Sequence, residues 1–476
     1  MQNRLTEKKA HPVLIFWIIV GWVGYLLVPW YGVEDGFFRF EWLFDGYPFD
    51  TDYAPAAFLL LQGEKLWLVP LLLPLLASLV VLRLRKSDPT YGIILIFVGA
   101  IGFSILIVQG FSIGIRGFNF AWLTAIFGDL GERQFGMGYG ALLLASSFLF
   151  LFTQGIAARG AVNGDVFVVS AIGGIILVVT VFVFFPIAKM LIAAFLTEDG
   201  TYSAIVFAAK FFDDRIWGLG CLRGMRCGVA WNSLFLAIVV GFVTTALGLV
   251  FALIVTRSGF RYKRGLRALT VLPIITPPFV IGLALILLLG RSGAVTVFFA
   301  DLFGVQPTRW FYGLPGLLIA QTLAFTPIAF LVMIGVVEGV SPSMEEAAQT
   351  LRADRWQTFR TVSLPLMRPG LANAFLLGFI ESMADFGNPL VLGGNFNVLS
   401  TDIFFAIVGA QYDQGRAAVL ALVLLFFTLS AFYAQRVWLG KKSYTTVTGK
   451  GDAGVHPAMP KRLSLPVFAI AAIWGG

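Results

Sequence analysis

The chain has 476 residues, a mean hydropathy of +0.86 and only 13% charged residues, which excludes a soluble globular protein. Its formal charge of +8 and pI of 9.5 raise nucleic acid as a partner. The cations, however, fall between apolar runs, where membrane topology alone requires them, so no nucleic-acid role is expected. Two cysteines and two histidines, the latter at His11 and His456 in the tails, leave little scope for zinc or histidine catalysis, and no metal site or cofactor is expected.

A helix needs about 20 apolar residues to cross a hydrocarbon core. Apolar runs of that kind predict an all-α, polytopic membrane protein with spans near 13–33, 66–82, 91–112, 137–157, 167–196, 231–256, 268–290, 312–337, 370–393 and 417–435. The first run, Val13–Val28, has no small-residue cleavage site and reads as an anchor rather than a signal peptide. With the N-terminus inside, the inner loops hold 22 of the 34 Lys and Arg residues and the outer loops 11, with Lys189 inside a span. That excess follows the positive-inside rule and predicts a cytoplasmic N-terminus.

The first outer loop, 34–65, is acidic, either an ordinary solvated loop or a cation-attracting vestibule. The outer loop 197–230 holds Cys221 and Cys227, which an oxidising face would allow to pair, although sequence does not show that their Cβ vectors face each other. The basic turn 257–267, RSGFRYKRGLR, satisfies topology, with anionic lipid headgroups as a minor partner. After it, Pro273, Pro277 and Pro278 interrupt the helical ladder around Thr276. The carbonyls freed there need protein, water or substrate as partners. Either neighbouring helices seal a kink, or irregular backbone lines a cavity.

Ser341–Gly370, SPSMEEAAQTLRADRWQTFRTVSLPLMRPG, is too polar to enter lipid yet lies between two spans. Ser343 is suited to cap a helix, with Glu346 completing a capping box; Pro342 suits the first helical position if Ser341 is the cap instead. Ala347, Ala348 and Leu351 form one apolar stripe, and Trp356, Phe359 and Val362 a second. Pro365 is expected to end that second helix, because proline lacks an N–H and clashes with the preceding turn. The charge count puts this helix–turn–helix in the cytoplasm, where it is built to touch a partner.

In the following span, Glu381 and Asp385 share a helical face before Asp385-Phe386-Gly387-Asn388-Pro389 breaks the helix. A start near Gly370 puts Glu381 about 16 Å along the helix, roughly mid-membrane. Ionisable groups at that depth face a wet cavity or a partner. The pair is therefore either functional or bonded to Lys189 or backbone N–H groups. Residues 441–476 open as a basic, Gly/Thr-rich linker, and the apolar run Leu463–Gly476 is too short to cross, so a partial eleventh span in a longer chain is expected. No G-x-x-x-x-G-K-[ST] phosphate loop and no G-x-S-x-G elbow occur, so an enzymatic role has nothing to rest on.

Glu346-Ala347-Ala348 through Leu364-Pro365 resembles the EAA loop of permease subunits in binding-protein-dependent ABC importers. The spans from 167 to 435 place it between the fourth and fifth of six helices, as in the MetI-like six-helix core of a type I ABC importer. Glu381–Pro389 and the stretch Gly220–Asn232 resemble ferric-iron-type permeases, which often fuse two permease halves in one chain. The resemblance implies a core at 167–440 with a coupling loop at 341–370, extra N-terminal helices at 1–166, and a linker and further span at 441–476. It implies a multi-pass bacterial inner-membrane protein that is not itself an enzyme. Its partners would be two copies of a separate ABC ATPase, a periplasmic binding protein, membrane lipids, and a second permease half in the same chain or another subunit.

By the same resemblance, Glu345, Glu346, Ala347, Ala348, Leu351, Arg352, Trp356, Leu364 and Pro365 belong to the coupling loop, with Glu346, Ala347, Ala348, Leu351 and Trp356 as its docking face. Glu381, Asp385, Asn388, Thr276 and Pro277 are candidates for the translocation path. Arg352 stands where the family has glycine, and a right-handed turn with a stiffer bend is expected there. Acidic Glu381 and Asp385 suit a hard cation, ferric iron above all; thiamine, polyamines and other small solutes remain alternatives. From another class, an ion-gradient-driven secondary transporter would use the same two acids as its ion site, and a non-transporting scaffold would use neither.

Overall fold

The computed structural model describes residues 12–32, 38, 40–44, 46–86, 88–114, 117–128, 136–197, 202–223, 226–410, 412–440 and 459–475, without the side chains of 222, 223, 461 and 473–475. The two histidines and the expected linker at 441–458 lie outside those residues. Each of the ten expected spans carries a helix. Eight helices among the described residues have the length and hydropathy to cross a membrane, while Pro12–Leu26 and Leu66–Val81 are apolar but shorter. The only paired strands among the described residues are the two-residue β1 (Ile113–Gly114) and β2 (Gly117–Phe118), so the fold is all-α.

The chain divides into two compact units, Met1–Pro186 and Ile187–Gly476. In the first, α1 (Pro12–Leu26), α2 (Val69–Val81), α3 (Pro89–Ser112) and α4 (Tyr139–Ala158) surround a core of Leu14, Ile18, Tyr25, Leu71, Leu95, Leu144, Phe148 and Leu151, and α5 (Val166–Val179) packs on α4. Glycine decides the closest approach. A Cβ on Gly99 of α3 would lie 2.5 Å from the Phe148 carbonyl oxygen and the Phe152 nitrogen of α4. Small residues are what let helices without a strong hydrophobic driving force pack backbone to backbone.

The second unit is built on α6 (Val229–Arg257), α9 (Leu314–Glu338) and α12 (Leu364–Ala384), which pack mutually. Gly248 of α6 meets the α9 backbone at Ala329 and Phe330, where an added Cβ would come within 2.8 Å. Between α6 and α9 run α7 (Lys263–Val271) and α8 (Pro278–Leu289), separated by a 3-10 turn at Leu272–Ile275. The apolar stretch of membrane length in this region is therefore Pro278–Phe303, made of α8 and, after a turn at 290–293, a further helix Ala294–Phe303, and it ends later in sequence than the expected 268–290. The cause is local: Pro273 and Pro277 prevent α7 from running on, and Pro278 sits in the first turn of α8.

A second correction concerns Pro365, which does not end its helix. The backbone stays helical from Arg355 to Ala384 because a π-helical turn at Phe359–Ser363 widens the ladder just ahead of the proline, where its missing N–H and bulky ring would otherwise collide. The unit closes with α13 (Gly387–Leu392), α14 (Leu399–Val408), α15 (Gln414–Leu439) and α16 (Lys461–Gly475). Of these, α14 was not legible as a separate apolar helix in the sequence.

Candidate functional site

The polar element between α9 and α12 begins with α10 (Pro342–Thr350). Its N-cap is Ser341 with Pro342 in the first turn, so the alternative cap holds and the Ser343–Glu346 box does not form; the Ser343 and Ser341 hydroxyls instead lie 2.7 Å apart. α10 ends in a Schellman arrangement: the Arg352 N–H donates to Gln349 O at 2.9 Å and the Ala353 N–H to Ala348 O at 3.1 Å. That closure places the residue after the C-cap in the left-handed region. Arg352 accordingly has φ +65°, which corrects the expected right-handed turn: arginine adopts the glycine conformation here. Asp354 then caps α11 (Arg355–Thr358) in a reciprocal box with Gln357. The D-x-x-Q string is the local signal for that box.

Glu345 and Glu346, neighbours in sequence, sit in different environments. Glu346 is exposed. Glu345 is buried and ion-pairs with Arg257, the last residue of α6, at 2.5 Å, with side-chain exposures of 1% and 4%. The same oxygen, Glu345 Oε1, also accepts a hydrogen bond from the Ser363 hydroxyl at the end of the π turn. Glu345 Oε2 and Arg257 Nε and Nη2 are buried without a hydrogen-bond partner. A contact spanning 88 residues of sequence leaves no local signal at Arg257, whose place in a basic turn marks only topology.

With Glu345 and Pro342 turned inward, α10 presents the opposite stripe outward. Met344 is 46% and Leu351 84% exposed, Ala347 is exposed and Ala348 half-buried. The spacing is that of one helical face. Trp356 packs inward against the buried cluster and stacks on Phe359 at 6.2 Å, and Leu364 and Pro365 are half-buried at the start of α12. An apolar stripe projecting from a polar element, away from the core, is a surface suited to another protein.

At the far end of α12 two interrupted helices meet. Asp385 leaves the helix in extended conformation. One of its carboxylate oxygens accepts from the Gly387 and Asn388 N–H groups, and the other from Gln321 Nε2 at 3.0 Å and Asn388 Nδ2 at 2.8 Å. Ser382 donates to Gln321 Oε1 and Ser400 to the Asp385 carbonyl. The Asp385 carboxylate is therefore fully engaged in holding the break. Gln321, which fixes it from α9, had no recognisable pattern in the sequence.

Glu381, one turn earlier, is half-buried; its carbonyl accepts from the Asp385 N–H, while its carboxylate forms no hydrogen bond or ion pair with a described residue. Lys189 is exposed and takes no part. Asn388 is fully buried with Oδ1 unpartnered, and a Cβ on Gly282 of α8 would lie 2.6 Å from that oxygen. The α12–α13 break thus packs directly on the first turns of α8, just after Thr276 and Pro277. Thr276 is extended and Pro277 caps α8.

Near the opposite end of α6 from Arg257, Cys221 and Cys227 form a disulfide. A cavity of about 510 Å³ opens beside it, between the start of α6 and the Asp402–Arg416 ion pair. Nearby, Asp413 caps α15 and pairs with Lys210 at 3.2 Å. Burial works to raise the Asp413 pKa, but the Arg416 N–H and the Lys210 ammonium outweigh it and hold the carboxyl below its ordinary value.

The chain is similar to known proteins. The family described as binding-protein-dependent transport system inner membrane component matches residues 244–437. The chain is 42% identical over 338 residues to the ferric transport system permease protein FbpB of Actinobacillus pleuropneumoniae, covering 71% of this chain and 48% of that one; it thus spans about half the length of this relative. It is 31% identical over 188 residues to the molybdenum transport system permease protein ModB of Azotobacter vinelandii, covering 38% of this chain and 80% of that one. Among solved structures, a bacterial ABC transporter involved in the import of the acidic polysaccharide alginate aligns with a TM-score of 0.48 at 19% identity, over 57% of this chain and 96% of that one.

Proposed function

The chain belongs to the family of binding-protein-dependent transport system inner membrane components, and from that premise we propose that it is a permease passing ferric iron from a periplasmic binding protein to the cytoplasm, coupled to a separate ATPase through Ser341–Gly370. The observation that carries this reading is the geometry of α10. A buried ion pair fixes its inner face, and its outer face offers Met344, Ala347, Ala348 and Leu351 to a partner.

In this account the N-terminus and the coupling element lie in the cytoplasm, residues 167–440 form the permease core, and 1–166 add helices around it. A second permease half, in the same longer chain or another subunit, supplies the other coupling element, and two ATPases close on the pair. The meeting of the α8 and α12–α13 breaks supports a path at that level, since backbone irregularity at membrane depth is tolerated where it lines a cavity or is sealed by protein. Glu381, whose carboxylate has no partner among the described residues, suits a hard cation, and the match to a ferric permease points the same way. The test is association. Glu346→Lys or Ala348→Asp abolishes co-purification with the ATPase while the membrane domain stays folded; loss of folding instead would make the element structural and remove this reading.

A further inference from the structure

We propose that Arg257, Glu345 and Ser363 form the joint that makes the coupling element and α6 move as one body; this rests on the transport reading above and assigns the residues that transmit the motion. Three elements converge on one oxygen, Glu345 Oε1: the end of α6 through Arg257, the first turn of α10 through Glu345 itself, and the π turn leading into α12 through Ser363. A fourth joins through the main chain, since the Met459 N–H donates to the Arg257 carbonyl at 3.0 Å. α16 continues from there along α6, with Val467 buried and Phe468 against Phe260.

The chemistry of the contact argues for positioning rather than stability. A buried ion pair is often no more stabilising than packed apolar side chains of the same volume, and this one leaves three polar atoms without partners. What it adds is direction. The surrounding contacts among Phe251, Ile254, Val337, Phe359 and Met367 are apolar, and apolar burial is non-directional, so those surfaces tolerate sliding. A charge-assisted hydrogen bond fixes both distance and angle. Opening it would strand a carboxylate and a guanidinium inside the protein, so the contact persists while its surroundings move. Force applied at Leu351 or Ala347 then reaches α6 and the base of α12 together.

The test uses the full transporter with its ATPase and binding protein in proteoliposomes. Spin labels at Thr350→Cys on α10 and Ala246→Cys on α6 report the distance between the two elements with and without ATP. The expected result is an unchanged distance in the otherwise wild-type chain. It is accompanied by a broadened distribution and at least a tenfold fall in uptake per ATP hydrolysed in Glu345→Gln and in the neutral pair Arg257→Met/Glu345→Leu. A distance that shifts with ATP in the wild-type background overturns the proposal, as does an unaltered uptake-to-ATP ratio in the neutral pair. Failure of both variants to assemble also overturns it, because the residues would then serve folding alone. A wild-type transporter that takes up substrate without ATP would instead overturn the importer reading itself.

Discussion

Removing Glu345 is the most informative change to the fold. Glu345→Ala strands the Arg257 guanidinium, whose side chain is 4% exposed and has two of its nitrogens already unpartnered. It also takes the acceptor from Ser363. Breaking a buried pair from one side costs about 3–5 kcal/mol. The internal comparison is Lys210–Asp413, with exposures of 30% and 39%; there solvent screening limits the loss in Lys210→Met to about 0–1 kcal/mol. The neutral pair Arg257→Met/Glu345→Leu removes both charges and should recover most of the loss. Denaturant unfolding of the purified protein in one detergent, all variants side by side, gives the ordering. If Glu345→Ala is as mild as Lys210→Met, the contact is not the desolvated pair described here.

Three further outcomes follow from particular residues. Arg352→Gly should stabilise the protein by about 0.5–1 kcal/mol, because a left-handed residue with a Cβ costs about 1–2 kcal/mol and the unfolded-state freedom of glycine returns only part of that; a lower thermal midpoint would contradict the Schellman geometry. The folded-state pKa of Asp413 lies below its unfolded value. Its contribution is therefore complete above the unfolded carboxyl pKa of about 3.9 and is lost as pH falls through the folded value. The stability gap between wild type and Asp413→Asn should accordingly be constant near neutrality and close on acidification, which pH-dependent unfolding checks. Glu381→Gln should cut uptake while changing stability by no more than about 0.5 kcal/mol, whereas Asp385→Asn should lower both, since it turns an amide donor toward groups that already donate. Equal effects on stability would remove the division of labour between the two acids.

What the sequence revealed, and what it withheld, divides along the range of the interactions. Span existence and the break at Asp385–Pro389 depend on local hydropathy and backbone chemistry, and both were legible. The exact course of the backbone at prolines was not: Pro365 is accommodated by a π turn and Pro277 displaces a span, and each outcome depends on how neighbouring ladders adjust. At Arg352, the Schellman closure of α10 requires a left-handed residue after the C-cap and overrode side-chain preference. Arg257–Glu345 and Gln321–Asp385 join residues 88 and 64 positions apart, and nothing within a local window marks such partners. The Ala347–Leu351 stripe was legible as a docking face by resemblance, whereas the inward turn of Glu345 that sets it outward was not.

The most direct measurement is uptake of ferric iron into sealed vesicles carrying the full transporter, its ATPase and its binding protein, with ATP and ion gradients supplied separately. The account predicts uptake that requires ATP, ignores an imposed proton or sodium gradient, and disappears in Ala348→Asp. Uptake that proceeds on an ion gradient without ATP, or that survives Ala348→Asp undiminished, would contradict it.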